Sequence, residues 1–171
     1  KLLCKHKNVK IKYLCGNTSI GKKISYYEKD LKKYKLPKII KINYKLFKDV
    51  DVIFTSLPNG ESQKIANKLL KKNTMIDLSA DFRLTNAKIY NKYYGIKHIS
   101  LNNLKKSIYG LTEINKKNLS KGKIIACPGC YPTSILLPLF PLIKKNLIDF
   151  KNIVIDSKSG FSGAGRGVHK K

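Results

Sequence analysis

Arginine is nearly missing from this sequence of 171 residues: Arg83 and Arg166 stand alone beside 34 lysines. Acidic side chains are few as well, 10 against 36 basic ones, which leaves a formal net charge of +26. Such an excess attracts polyanions in principle, because lysines that neutralise phosphates release counterions. Readers of bases and phosphates, however, favour the two-pronged guanidinium. The lysines are also scattered along the whole chain, among abundant Ile, Asn and Tyr. Most of them are expected to form a solvated surface, and no specific nucleic-acid partner is expected. Long apolar runs are lacking too. None approaches the about 18 residues of a membrane span, and no charged leader followed by an apolar stretch opens the chain. No membrane partner is expected, and the protein reads as soluble and cytoplasmic. Cysteine occurs only at Cys4, Cys15, Cys127 and Cys130, too sparse and uneven for a secreted disulfide scaffold. His6, His98 and His169 are isolated and only one C-x-x-C is present, which speaks against zinc, so no metal is expected. What is there, 42% hydrophobic and 9% aromatic residues, excludes a disordered tail, a collagen, a coiled coil and a low-complexity linker. A chain this long can bury roughly 70% of its unfolded surface.

The pattern of apolar residues is that of strands alternating with helices. Val9–Cys15 alternates with the period of a half-buried strand, and Gly16-Asn17 marks a turn. Residues 28–48 read as a lysine-rich surface excursion. Val50–Leu57 is almost continuously apolar, as a parallel strand covered on both faces should be. Pro58-Asn59-Gly60 breaks it, and 62–72 follows with helical spacing. Further strands are expected at Thr74–Leu78, Lys123–Cys127 and Asn152–Asp156. An apolar helix over Thr133–Leu147 should be kinked or interrupted by Pro138 and Pro141. This recurrence predicts βαβ units and a doubly wound parallel sheet of Rossmann-like α/β class. Ligands of such sheets bind beyond the carboxyl ends of the strands. The residues found there are 16–19, 57–60, 79–83, 127–133 and the polar, glycine-rich 157–166.

Cys127-Pro128-Gly129-Cys130 admits several readings from its residues alone. Both thiols can be inert core residues. They can form a redox pair whose pKa is lowered at a helix N-terminus. Alternatively Cys130 is a single nucleophile at the mouth of the long helix, able to attack an acyl carbon and form a thioester.

The surrounding segments narrow the choice. Cys130-Tyr131-Pro132-Thr133, Asp77-Leu78-Ser79-Ala80-Asp81-Phe82-Arg83-Leu84, Tyr109-Gly110-Leu111-Thr112-Glu113 and Lys158–Arg166 occur in the order of four motifs of one family. The chain resembles the N-acetyl-gamma-glutamyl-phosphate reductases, a branch of the aspartate-semialdehyde dehydrogenase superfamily, over essentially its whole length. That resemblance implies NADPH-dependent reductive dephosphorylation of N-acetylglutamyl 5-phosphate to the semialdehyde, in arginine biosynthesis. Cys130 is then the nucleophile. Arg83, Ser159 and Arg166 would bind the substrate's phosphate or carboxylates. Thr18, Ser19, Leu57, Pro58, Gly60, Ser162 and Gly163 would line the NADP(H) site, and the full-length enzyme would be a homo-oligomer, dimer or tetramer. Residues 1–126 are expected to form the cofactor domain and 127–171 the opening of an α+β catalytic domain. Three departures accompany the resemblance: Cys127 stands where the family usually has Asn, the family's glycine-rich phosphate turn should precede Lys1, and its general-base His should follow the glycine loop at greater distance than His169. The 171 residues therefore read as an internal section of the enzyme or a severely reduced form of it, without the general base. Rival readings are an aspartyl or aminoadipyl phosphate reductase, a lysine-rich polyanion-binding module without catalysis, and a thiol-disulfide exchanger.

Overall fold

The computed structural model describes residues 1–70, 72–160 and 163. The expected site residues Ser162 and Arg166 lie outside the described residues. The chain divides into two compact units, Lys1–Val50 and Asp51–Lys171.

In the first unit a short helix, α1 (Leu2–Lys5), precedes two parallel strands of two residues each, β1 (Leu14–Cys15) and β2 (Ile39–Ile40). The longer strand expected over Val9–Cys15 is realised only at its end. Its partner is two residues long, so the ladder offers Val9–Tyr13 nothing to bond, and Val9 stays exposed. The expected surface excursion over 28–48 instead supplies the unit's buried residues, Leu31, Ile39 and Phe47. Leu31 sits in a 3₁₀ turn, Lys29–Lys33, and Phe47 in another, Tyr44–Asp49, opened by Asn43 Oδ1 accepting from the Lys45 amide. Three apolar residues spaced eight apart carry no helical or strand period, which is why the sequence pattern did not expose them.

The second unit is an α/β fold of Rossmann-like type. Four strands, β3 (Val52–Thr55), β4 (Thr74–Asp77), β5 (Ile108–Tyr109) and β6 (Ile124–Ala126), form one sheet in the order β3-β4-β6-β5, every pair parallel. Between β3 and β4 lies α2 (Glu61–Leu69), whose Ser62, Ala66 and Leu69 share a buried face at helical spacing. Two helices, α3 (Ala87–Tyr94) and α4 (Leu101–Lys106), connect β4 to β5, and α5 (Thr112–Leu119) connects β5 to β6. Helix α3 is bracketed by its own chemistry: Asn86 Oδ1 accepts from the amides of Lys88 and Ile89, and Gly95 takes the left-handed conformation at φ 67° past its end. The core gathers Ala66, Leu69, Met75, Phe82, Tyr90, Leu104, Ile124 and Ala126, all nearly inaccessible.

Strand β3 is not covered on both faces: it is the edge of the sheet, and Val52 and Phe54 on one face are 44% and 46% exposed. The apolar helix is not interrupted. It runs from Cys130 to Lys144 as α6 with Pro138 and Pro141 inside, starting three residues earlier than expected, so that Cys130 opens its first turn. Asn152–Asp156 forms no strand. Among the described residues no strand pairs with it, and Val154 and Ile155 face solvent. No helix among the described residues is long and apolar enough to cross a membrane.

Candidate active site

Because β3, β4 and β6 are parallel neighbours, the segments that leave their carboxyl ends share one rim of the sheet. They are Ser56–Gly60, Leu78–Arg83 and Cys127–Cys130. The middle segment holds the other two. At its root, buried Asp77 Oδ1 accepts from Thr55 Oγ1 at 2.7 Å, Ser62 Oγ at 2.9 Å and the Ser79 amide at 3.1 Å. Ser79 Oγ accepts from the Leu57 amide at 2.8 Å. Asp81 takes the amides of Gly60 (2.7 Å) and Gln63 (3.0 Å) on its two carboxylate oxygens, and so caps α2 from the neighbouring segment. A carboxylate in that position fills the amides at the start of α2, so the dipole there offers no seat for a phosphate. Gly60 is at φ 88°, a conformation that favours glycine and completes the turn into the helix.

Toward the nucleophile loop the same segment uses its arginine. Arg83 Nε donates to the Cys127 carbonyl at 2.7 Å and Nη2 donates to the Leu78 carbonyl at 2.9 Å. The guanidinium passes so close to Gly129 that a Cβ there would lie 3.3 Å from Nη1. The Cys127 amide donates to the Asp77 carbonyl at 2.8 Å, so both backbone groups of Cys127 are tied to elements of β4 and its extension.

The two thiols beyond this clamp have opposite environments. Cys130 is exposed at the N-terminus of α6, and Ser159 Oγ donates to its Sγ at 3.1 Å. That hydroxyl, the amides of Tyr131 and Cys130, and the charge of Arg83 hold its pKa below the ordinary cysteine value, the Ser159 bond contributing most. Burial, with Asp77 nearby, pushes the Cys127 thiol up. Only Cys130 therefore combines access with thiolate character. Cys127 is the less accessible and less acidic of the two thiols. Ser159→Ala is expected to move the alkylation profile of Cys130 to higher pH and slow its reaction with iodoacetamide at pH 7 about threefold. Peptide mapping of the alkylated protein checks this.

Of the other expected residues, Leu57, Pro58 and Gly60 stand together on the rim, Leu57 and Pro58 exposed and Gly60 buried. Gly163 is exposed, its amide donating to the Gly160 carbonyl at 2.9 Å, and a Cβ on it would come within 3.2 Å of Ser159 Oγ. Thr18 and Ser19 belong to the first unit, where Thr18 is exposed and Ser19 Oγ shares a 2.7 Å hydrogen bond with Tyr27 OH. Asp81 and Tyr90 carry no signal of their own in the sequence pattern. Their partners lie 21 and nine residues away in sequence, so no local pattern announces them.

Comparison with known proteins adds the following. The semialdehyde dehydrogenase NAD binding domain family matches residues 1–122, and the semialdehyde dehydrogenase dimerisation domain family matches residues 130–171. The chain is 45% identical over 174 residues to an N-acetyl-gamma-glutamyl-phosphate reductase of Ehrlichia canis (strain Jake), covering 98% of this chain and 49% of that protein. It is 41% identical over 171 residues to the protein of that name in Alkaliphilus metalliredigens (strain QYMF), covering 99% and 49%. A probable chloroplastic N-acetyl-gamma-glutamyl-phosphate reductase of Arabidopsis thaliana is 41% identical over 168 residues, covering 98% and 42%. The chain thus spans about half the length of the curated relatives it matches.

Proposed function

This chain belongs to the semialdehyde dehydrogenase family, and we propose that in its full-length form it reduces N-acetylglutamyl 5-phosphate to N-acetylglutamate 5-semialdehyde with NADPH, in arginine biosynthesis. The observation that carries the reading is Cys130: an exposed thiol at a helix N-terminus, with lowered pKa, on a loop clamped by an arginine.

The residues on the rim suit a nicotinamide cofactor. The exposed turn at the end of β3 would offer Leu57 and Pro58 as an apolar wall to its ring, and the amides of Gly60 and Gln63, already held by Asp81, would not be available to its phosphates. When bound, that group supplies the hydride that reduces the acyl carbon. The chain's own residues do the rest. The Cys130 thiolate attacks the acyl carbon of the substrate, its sulfur–carbon bond replaces the carbon–oxygen bond to phosphate, and phosphate leaves with the electron pair. After reduction the thiolate departs and the aldehyde is released. The Ser159 hydroxyl, bonded to sulfur beforehand, holds the thiolate in its attacking position. Arg83, and with it Arg166 and Ser159, is assigned to the anionic groups of the substrate. Ser162 and Gly163 are assigned to the cofactor beside Leu57, Pro58 and Gly60, and Thr18 and Ser19 to its adenosine end. The cofactor domain is taken to end near Ala126, the catalytic domain to begin at Cys127, and the general base to lie outside these 171 residues. A homo-oligomer, supported by the dimerisation-domain match, and a cytoplasmic location belong to the same reading.

The test is the reverse reaction on the full-length protein, reduction of NADP by N-acetylglutamate 5-semialdehyde in the presence of phosphate. The expected result is activity that requires phosphate, prefers NADP to NAD at least about tenfold, and disappears with aspartate semialdehyde. Preference for the aspartyl substrate would transfer the protein to the related branch.

A further inference from the structure

We propose that Asp81 is a positioning residue for the cofactor-facing turn Leu57–Gly60, locked in place by Tyr90; the inference rests on the function proposed above. Asp81 is fully buried, and each of its acceptors is used. Oδ1 receives the Gly60 amide and Tyr90 OH, each at 2.7 Å, and Oδ2 receives the Gln63 amide at 3.0 Å. The Asp81 carbonyl meets His98 Nε2 at 2.9 Å, and His98 Nδ1 accepts from the Ser100 amide at 3.2 Å, so Nε2 carries the proton. Tyr90 cannot drift from its partner: it is wholly buried, stacked on Tyr94 at 4.9 Å and edge-on to His98 at 5.0 Å.

Burying a carboxylate is costly and is tolerated only when strong donors replace its water. Here the donors are Tyr90 OH, the Gly60 amide that closes the turn and the Gln63 amide in the first turn of α2, while Leu57, Pro58 and Asn59 on the outside of the turn are exposed. Capping α2 accounts for the Gln63 bond, and the Gly60 bond in addition fixes a turn whose outer side chains stay open to a ligand, a preformed surface. The same segment clamps the Cys127 carbonyl through Arg83 two residues further on, so the cofactor side and the nucleophile side hang from one strand extension. Asp81 touches neither substrate nor cofactor, and its effect passes through the turn.

The experiment compares Tyr90→Phe, Asp81→Asn and, as a control of fold stability alone, Ile124→Val in the core of β6, all in the full-length protein. NADPH affinity is read by fluorescence titration, kcat and KM by the assay above, and stability by thermal melting. Tyr90→Phe keeps the ring and removes one donor, so the fold should survive. The expected result is NADPH binding weakened about tenfold in Tyr90→Phe and more in Asp81→Asn, with kcat at saturating NADPH within about threefold of wild type. Alkylation of Cys130 without cofactor should stay within about twofold. Ile124→Val should lower the melting temperature without changing NADPH affinity. Unchanged affinity in folded Tyr90→Phe, or equal weakening in Ile124→Val, overturns the positioning role while leaving the function standing. Wild-type protein that binds no NADPH overturns both.

Discussion

Replacing Cys130 with serine should leave the full-length protein folded and reduce phosphate-dependent turnover by at least about 10³-fold, to the background of the assay. The side chain is exposed and packs against nothing that a smaller oxygen would disturb. The chemistry, by contrast, rests on a sulfur whose pKa is held below the ordinary cysteine value, first by the Ser159 hydrogen bond. A serine hydroxyl in the same hydrogen bond to Ser159 stays protonated, and no other group on the rim takes over. Cys127 is the nearest alternative, but burial raises its pKa and its backbone is tied on both sides. Near-ultraviolet circular dichroism alongside the coupled NADPH assay separates loss of chemistry from loss of fold. Turnover that persists in folded Cys130→Ser would place the nucleophile elsewhere. Salt-dependent binding of a polyanion that survives the same substitution, with no turnover in the wild type, would favour the lysine-rich binding module.

The second large effect is expected at Arg83. Arg83→Gln removes a charge and the two-pronged clamp on the carbonyls of Cys127 and Leu78, and turnover should fall about 10²-fold. Alkylation of Cys130 at pH 7 should slow at the same time, because the arginine's charge contributes to the lowered pKa of that thiol. Arg83→Lys restores the charge but as a single point, which cannot span two carbonyls held by different nitrogens of one plane. It should therefore recover much of the alkylation rate and little of the turnover. Equal recovery of both would show that charge alone matters and that the clamp does not. Inorganic phosphate as a product inhibitor adds a third reading: weaker inhibition in both variants locates substrate phosphate at Arg83 as well.

Much of this site was legible from sequence because its residues cluster just after strands. Cys130, Arg83 and Leu57–Gly60 fall where a parallel sheet puts its ligands, and their local neighbours carry motif-like order. What escaped was set by partners distant in sequence. The cap that Asp81 places on α2 and the lock that Tyr90 places on Asp81 depend on the strand order, which no local window encodes. The expected strand at Asn152–Asp156 has an apolar, β-branched run and, among the described residues, no neighbour, since a strand is a relation between two segments rather than a property of one. Pro138 and Pro141 are expected to kink or interrupt the apolar helix, and it continues through both: each removes one donor, and the turns on either side keep theirs. The caps of α3 were a signal available beforehand, with Asn86 and Gly95 standing at the two ends of a helix of ordinary length.

The order β3-β4-β6-β5 also acts as a ruler. The turn after β3 and the loop after β6 are each one neighbour away from β4, so their roots stand two interstrand spacings apart, about 9.5 Å. That separation comes from backbone hydrogen bonding and owes nothing to any side chain. Across that span the segment leaving β4 bonds to both neighbours, through Ser79 and Asp81 on one side and Arg83 on the other. Point substitutions can change what these segments are made of. Only a different strand order or register could change how far apart they stand.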